Sequence, residues 1–205
     1  MELKLTQLQT DALKEMVSIG AGNAATALSQ LVKKKTTIKV PNATLCPIDK
    51  APEVFGGAEV LVAAIYLRLL GDASGVILFS FEKNEAGRLA DLLLAKAPGT
   101  TKILNEMDQS ALKETATILS GAYLSAIAKF LKMRLLVSSP AFAEDMAGAI
   151  VDNILIETSK EADYFFIIDT DLEIVEEKVK AYFFFIPDAE SLKKIMLAMG
   201  VNSGA

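Results

Sequence analysis

Two short motifs in this sequence each place a carboxylate and a hydroxyl one helical turn apart. Glu15 is followed three residues later by Ser18, and Glu114 is followed three residues later by Thr117. On an α-helix such side chains point the same way, so each pair can meet one partner or one water molecule. The same pairing also occurs on ordinary solvated helices, and the spacing alone therefore assigns no function.

The segments that carry the two motifs are versions of one another. Ala12–Glu15 has the same four letters as Ala111–Glu114, and the same shift of 99 positions aligns Pro41 with Pro140 without a gap. A match in fixed register is typical of internal duplication. We therefore predict two related repeats, and the motif is present once in each of them.

Each motif lies on a predicted long amphipathic helix. Thr6–Gln9 has the pattern of a capping box, and apolar residues then recur at three- and four-residue spacing to about Lys35. A second helix is predicted over 108–131. Its inward face is predicted to consist of Leu112, Ala116, Leu119, Tyr123, Ile127 and Phe130.

The first helix contains an unusual run of small residues. Gly20, Ala21, Gly22, Ala24 and Ala25 occupy its middle, although each glycine costs a helix about 1 kcal/mol relative to alanine. We interpret the run as a place where another backbone approaches closely.

The remaining elements are predicted from β-branched runs, turn residues and caps. Strands are expected at 36–41, 59–69, 74–81, 133–137, 164–168 and 180–186, short helices at 49–55 and 141–151, and closing helices capped by Asn84 and Asp188. Each repeat then reads helix, strand, short helix, strand, strand, helix. This order predicts a single α+β domain with pseudo-twofold symmetry, in which repeats at about 6–98 and 105–200 share an antiparallel sheet flanked by long helices.

Composition and charge exclude several classes of function. The 205 residues are 52% hydrophobic, which predicts a large core or an extra buried interface, and the net charge of −5 argues against a nucleic-acid surface. The sequence has no histidine, so Ser-His and Cys-His nucleophile pairs and histidine zinc sites are excluded. Cys46 is the single cysteine, and with no secretory pattern or long apolar run we expect a cytoplasmic location.

Three carboxylates alternate near the end of a predicted strand. Asp169, Asp171 and Glu173 could in principle bind a hard cation, because carboxylate oxygens are its usual ligands. No loop of calcium-binding spacing accompanies them. We interpret them as an acidic strand edge and predict no metal site.

In the two glutamate motifs the sequence resembles the CheC/CheX/FliY family of chemotaxis phosphatases. In the family motif an acidic residue or serine is followed by glutamate after three intervening positions. Asparagine follows after two more intervening positions, and proline after another twenty-two. Here it reads Asp11, Glu15, Ser18 and Pro41, and again Ser110, Glu114, Thr117 and Pro140. The two copies cover nearly the whole chain.

The resemblance implies a reaction and a partner. Members of this family hydrolyse the aspartyl phosphate of the response regulator CheY, with the glutamate contacting the regulator and the asparagine positioning the attacking water. The magnesium ion belongs to the regulator, so no cofactor of its own is expected. The implied catalytic residues are Glu15, Ser18, Glu114 and Thr117, and the implied partner-binding residues are Asp11 and Ser110.

This chain departs from the family pattern where the family has asparagine. Ser18 and Thr117 carry hydroxyls, which end closer to the backbone than a carboxamide does. A misplacement of about 1 Å can cost about a hundredfold in rate. Either a shifted water is held by these hydroxyls, or the chain is a weak or inactive relative that binds CheY without turnover.

A second partner is implied by a segment in the second repeat. Glu144–Met146, in the predicted helix after Pro140, resembles the family segment that meets the receptor deamidase CheD, and Asp145 is the matching acid. A binding module with the docking face intact would sequester CheY or control CheD.

Overall fold

The chain forms an eight-stranded antiparallel sheet with helices on both faces, described by a computed structural model over residues 5–157, 164–174 and 177–200. The helices are α1 Gln7–Val32, α2 Ala51–Val54, α3 Lys83–Leu93, α4 Glu106–Leu131, α5 Ala147–Glu157 and α6 Ala189–Ala198. The strands are β1 Thr36–Lys39, β2 Ala43–Pro47, β3 Leu61–Gly71, β4 Gly75–Glu82, β5 Leu135–Val137, β6 Ala141–Met146, β7 Tyr164–Ile174 and β8 Glu177–Pro187. The predicted α+β class is confirmed.

The order of the strands is symmetric. It runs β1-β7-β8-β4-β3-β5, with β2 also paired to β7 and β6 also paired to β3. Exchanging β1–β4 with β5–β8 gives the same order in reverse, which is the arrangement that two related halves would produce. The duplication itself and the repeat limits at 6–98 and 105–200 stay predictions.

The ends of the two long helices are fixed by side-chain caps. At α1, Gln9 N donates to Thr6 Oγ1 at 3.3 Å and Thr6 N donates to Gln9 Oε1 at 2.9 Å, which confirms the predicted capping box. The helix ends at Val32 rather than near Lys35. The second helix begins at Glu106, capped by Asn105, and thus slightly before its predicted start.

The two long helices pack together on one face of the sheet, and their contact explains one of the two central glycines. A Cβ built on Gly20 would lie 3.0 Å from Ala122 O and from Tyr123 Cα, so the predicted close approach is confirmed there. A Cβ on Gly22 would meet nothing within 4 Å. The predicted inward face of α4 is buried except at Phe130, which is 43% exposed.

The predicted helix over 141–151 is wrong in its first part, because Ala141–Met146 form strand β6, and confirmed from Ala147, where α5 starts. The segment pairs antiparallel with β3 from Leu61↔Met146 to Tyr66↔Ala141. That part of β3 would otherwise leave a row of backbone N–H and C=O groups without partners along the sheet. Tertiary pairing therefore overrides the helix propensity of alanine, glutamate and methionine in this segment.

Two smaller predictions are also corrected, and a third is confirmed. Strand β2 was missed, so each half reads helix, strand, strand, short helix, strand, strand, helix. Asn84 does not cap α3, which begins at Lys83 with Glu82 at the capping position and no side-chain cap bond. Asp188 does cap α6, since its side chain accepts from Ser191 N at 2.7 Å.

Candidate functional site

Helix α1 presents the first motif to solvent. Asp11, Glu15 and Ser18 are exposed, while Met16 and Val17 between them point into the core. The amphipathic pattern produces this arrangement, because burial of the apolar stripe turns the opposite side of the helix outward. The structure thus brings the three predicted residues of this motif onto one accessible surface.

Helix α4 presents the second motif in the same way, with one difference. Ser110 and Glu114 are exposed, whereas Thr117 is half-buried. Leu112 and Ala116 lie in the core between them. Each motif is therefore assembled on its own helix.

The two motifs lie at opposite ends of the helix pair. Gly20 contacts Ala122 and Tyr123, and residues 12–19 line a cleft together with residues 126–130, so α1 and α4 run antiparallel. In this arrangement the Glu15 motif is beside the last turns of α4, and the Glu114 motif is beside the last turns of α1. The structure does not bring the two motifs together into one site.

The hydroxyls of both motifs are bonded to their own helices. Ser18 Oγ donates to Lys14 O at 2.7 Å, and Thr117 Oγ1 donates to Lys113 O at 2.8 Å. This bond to the carbonyl four residues earlier uses the hydroxyl proton within the helix. Each oxygen keeps lone pairs, so it can accept a hydrogen bond from water but cannot also donate one in this rotamer.

The motif proline of the first repeat is tied to α1. Lys14 Nζ donates to Pro41 O at 2.8 Å, which fixes the connection between β1 and β2 beside the helix. Asp11 accepts from Gln7 Nε2 at 2.9 Å. In the second repeat Pro140 directly precedes β6. The spacing between glutamate and proline, the same in both repeats, thus spans the rest of the long helix and one strand and ends in the connection to the next strand.

A cleft of about 470 Å³ adjoins Glu15. Its lining combines one carboxylate and one ammonium group with small and large apolar side chains. The lining residues are Ala12, Glu15, Met16, Ile19, Ala126, Lys129 and Phe130. Because exposed apolar groups around a charged anchor are typical of protein docking surfaces, this arrangement favours a protein partner.

Sequence reasoning missed the apolar border of this cleft. Of the residues that line it, Ile19 is 58% exposed and Phe130 43%, and Leu8, two turns before Glu15 on α1, is 79% exposed. Leu8, Glu15 and Ile19 are separated by seven and four positions on α1, which puts them on one face and would have been detectable from the sequence. The spacing on α4 could not have shown that Phe130 is exposed, because it fits the apolar repeat that predicts an inward position.

Apolar side chains also occupy the matching positions for the second motif, 99 residues away in the sequence. Met107 is 66% exposed on α4, and Leu31 is 47% exposed near the end of α1. Ile118, four positions after Glu114, is half-buried. Large apolar side chains thus accompany both glutamates.

Asp145 lies on edge strand β6 and belongs to neither long helix. It is exposed, and its Oδ1 accepts from Met146 N at 2.8 Å. Its neighbour Glu144 pairs with Lys83 at 2.7 Å. The acid therefore belongs to a strand surface, in place of the helix that the sequence predicted.

Two of the three acidic residues of β7, Asp171 and Glu173, are in register with lysines on adjacent strands. Asp171 is in register with Lys39 on β1 and Lys180 on β8. Burial raises the pKa of Asp169, while Lys180 acts in the opposite direction and Asp171 adds to the increase. Over the described ranges there is no group of three or more potential metal ligands.

The single thiol has no sign of activation. Burial, with a smaller contribution from Asp169, raises the pKa of Cys46 above its ordinary value. Because the thiolate is the nucleophilic form, this environment argues against cysteine chemistry. The carboxylates and hydroxyls of the two motifs are the better candidates.

The fold is shared with a solved protein, FliY from Thermotoga maritima. That structure aligns with 97% of this chain and 98% of its own, with a TM-score of 0.75 and 20% sequence identity. At this identity the likeness establishes the fold, a symmetric antiparallel sheet with paired long helices.

The sequence matches establish the family. Residues 8–45, which contain the Glu15 motif and Pro41, match the CheC-like family. The chain is 35% identical over 198 residues to the CheY-P phosphatase CheC of Bacillus subtilis (strain 168), covering 95% of each. It is also 28% identical over 137 residues to the flagellar motor switch phosphatase FliY of the same organism, covering 66% of this chain and 35% of that protein. This chain belongs to the CheC-like family.

No helix in the part of the chain that the structure describes combines the length and the apolar character needed to cross a membrane.

Proposed function

We propose that this chain docks phosphorylated CheY through its glutamate motifs and hydrolyses the aspartyl phosphate slowly. The observation that carries the proposal is the surroundings of Glu15. This carboxylate is exposed, forms no ion pair within the described residues, and borders a cleft lined by Ile19 and Phe130. A free carboxylate beside exposed apolar groups is suited to anchor a protein partner. The similarity to a CheY-P phosphatase supports this assignment.

The proposed reaction needs no covalent bond between this chain and the phosphoryl group. Water attacks phosphorus, the bond from phosphorus to the aspartyl oxygen breaks, and inorganic phosphate and the free carboxylate are the products. Orientation of the water and stabilisation of charge supply most of the acceleration in such transfers. We expect the magnesium ion to be held by CheY, which would stabilise the charge on the phosphoryl oxygens.

The hydroxyls would orient the water by accepting a hydrogen bond. Ser18 Oγ can do so while it donates to Lys14 O. The accepted bond would then direct a lone pair of that water toward the phosphorus. A carboxamide would reach further and could donate as well as accept. The bond from Ser18 to its own helix therefore favours slow turnover.

A second candidate function is binding without turnover. Both hydroxyls, Ser18 and Thr117, donate to carbonyls of their own helices, so neither has a proton left to donate to a water at an interface. In this version the chain sequesters CheY or regulates CheD. The exposed Asp145 on β6 is the proposed contact for CheD, and Asp145→Lys should weaken that complex without changing the affinity for CheY.

The test measures phosphate release from phosphorylated CheY as a function of the amount of this chain. A phosphatase at substoichiometric amounts raises the rate, and Glu15→Ala combined with Glu114→Ala returns it to that of CheY alone. A sequestering module leaves the rate per CheY unchanged at all amounts. Glu53→Ala is the control, because Glu53 is an exposed carboxylate on α2 that pairs with Lys50 just before that helix and belongs to neither motif.

A further inference from the structure

The cleft beside Glu15 is built by both long helices. Helix α1 contributes Glu15 and Ile19, and α4 contributes Lys129 and Phe130. Because the helices run antiparallel, the last turns of α4 lie beside the first half of α1. A partner that fills this cleft therefore contacts residues about a hundred positions apart in the sequence.

The Glu15 cleft, here the first surface, can be compared with the positions 99 residues away in the sequence, which make up the second surface, around Glu114. Most of the lining is the same in both. The positions with identical residues are Ala12 and Ala111, Glu15 and Glu114, Ile19 and Ile118, and Ala126 and Ala27. The positions that differ are Met16 and Thr115, Lys129 and Gln30, and Phe130 and Leu31.

The charge difference favours the first surface for a phosphorylated partner. Lys129 is exposed and forms no ion pair among the described residues, so its ammonium group is available. Gln30 at the matching position is neutral. A phosphoryl group carries close to two negative charges at neutral pH, and a nearby cation complements it.

The difference in apolar side chains also favours the first surface. Phe130 is 43% exposed and Leu31 is 47% exposed, so both can reach a partner. An aromatic side chain buries more surface area on binding than leucine does, for a similar loss of side-chain freedom. Aromatic residues are also enriched among those that dominate binding energy. Below the second surface Thr115 Oγ1 is buried without a hydrogen-bond partner, whereas Met16 fills that place with apolar atoms in the first.

We propose that the Glu15 cleft is the stronger docking surface for the phosphorylated receiver domain of CheY, and that Lys129 and Phe130 of α4 determine this preference. The inference rests on the proposed function, since it names the surface through which that function acts. It also makes one docking surface dependent on both halves of the chain.

An exchange of the two differing positions tests the proposal. The titrant is CheY carrying beryllium fluoride and magnesium, a stable mimic of the phosphorylated form, followed by calorimetry. Lys129→Gln with Phe130→Leu gives the first surface the lining of the second, and should weaken the stronger binding about tenfold. Gln30→Lys with Leu31→Phe, in a Glu15→Ala background, should strengthen the remaining binding by a similar factor. All four positions are exposed, so the variants should fold.

Separate variants distinguish the contributions of charge and of area. Lys129→Gln alone should reduce the preference for CheY with beryllium fluoride over unmodified CheY, and Lys129→Arg should restore it. Phe130→Leu alone should weaken binding to both forms equally. Loss of binding that is the same for both forms in Lys129→Gln would overturn the role given to this ammonium group.

The outcomes separate this inference from the proposed function. If the parent binds but Glu15→Ala and Glu114→Ala weaken binding equally, or neither exchange changes affinity, the preference is refuted and the proposed function stands. If the parent does not bind CheY in either form, or the double glutamate variant binds undiminished, the proposed function itself is refuted.

Discussion

The two helices that carry the glutamate motifs are alike in length and spacing but begin in different ways. Helix α4 starts from a polar network in which buried Asp108 pairs with Lys96 and accepts from Asn105 N at 3.1 Å. Helix α1 starts from an exposed capping box. Its first half is held by packing against α4 and by the bond from Lys14 to Pro41.

This difference shows how one motif can be positioned by two means. The Glu114 motif follows a helix start that is fixed by hydrogen bonds and an ion pair. The Glu15 motif depends more on the contact between the helices at Gly20. Damage to the polar network should thus act mainly on stability, whereas damage to the helix contact should act on the Glu15 cleft as well.

The largest expected effect is at Asp91, the carboxylate that holds the connection from α3 to α4. Asp91 is buried and accepts from Thr100 N at 2.9 Å, from Thr101 N at 3.2 Å, and from both threonine hydroxyls. Asp91→Ala leaves these donors without their partner and should lower the free energy of unfolding by about 3 kcal/mol. Urea unfolding measures it. The exposed Asp11→Ala is the control, with an expected change below about 0.5 kcal/mol.

The same carboxylate predicts a pH dependence. Burial acts to raise the pKa of Asp91, but the hydrogen bonds from Thr101 and Thr100 together lower it below its ordinary value. The folded state then holds the charged form more strongly than the unfolded state does. This contribution is present above the unfolded pKa of about 3.9 and is lost as the pH falls below it. Unfolding curves of Asp91→Asn should have a shallower decline in stability below pH 4 than those of the parent.

The next effect concerns the contact between the helices. A side chain at Gly20 meets the backbone of α4 at 3.0 Å, so Gly20→Val should cost about 2 kcal/mol and weaken CheY binding at the Glu15 cleft. Gly22→Ala is the matched control, because its Cβ meets nothing and the helix gains up to about 1 kcal/mol. Thermal unfolding and calorimetry together would contradict this interpretation if the two variants behaved alike.

The sequence predicted the long helices well because their signals are local. The capping box of α1, the apolar period and the glutamate positions all lie within one element. Strand β6 was mistaken for a helix because its partner, β3, is some eighty residues earlier in the chain. Asp145 was consequently placed on the wrong kind of element.

The candidate site was predictable only in part for the same reason. Spacing within a helix predicts that Glu15 and Ser18 point the same way, and likewise Glu114 and Thr117, while their proposed roles come from the family resemblance. Lys129 and Phe130 join the Glu15 cleft only through the antiparallel packing of α1 with α4, which the sequence pattern does not specify. The hydroxyl bonds to Lys14 O and Lys113 O depend on rotamers, and composition carries no information about them.

The smallest change in free energy is expected for substitutions at the two motif hydroxyls, and it should affect the rate of hydrolysis. Ser18→Asn and Thr117→Asn each replace a hydroxyl that is bonded to its own helix by a carboxamide that cannot occupy the same short bond. The longer side chain should extend toward the partner and hold the attacking water. Because Ser18 is exposed and Thr117 is half-buried, the gain should be larger for Ser18→Asn.

The rate of phosphate release from phosphorylated CheY should rise at least about tenfold in the double variant, which is roughly 1.4 kcal/mol of barrier. Ser18→Ala and Thr117→Ala serve as controls, since they remove the hydroxyl without adding reach and should not increase the rate. A double asparagine variant that binds CheY with beryllium fluoride as the parent does but hydrolyses no faster would mean that reach is not what limits turnover. Binding without hydrolysis would then be the function of both surfaces, and the difference between the two helix starts would matter for docking alone.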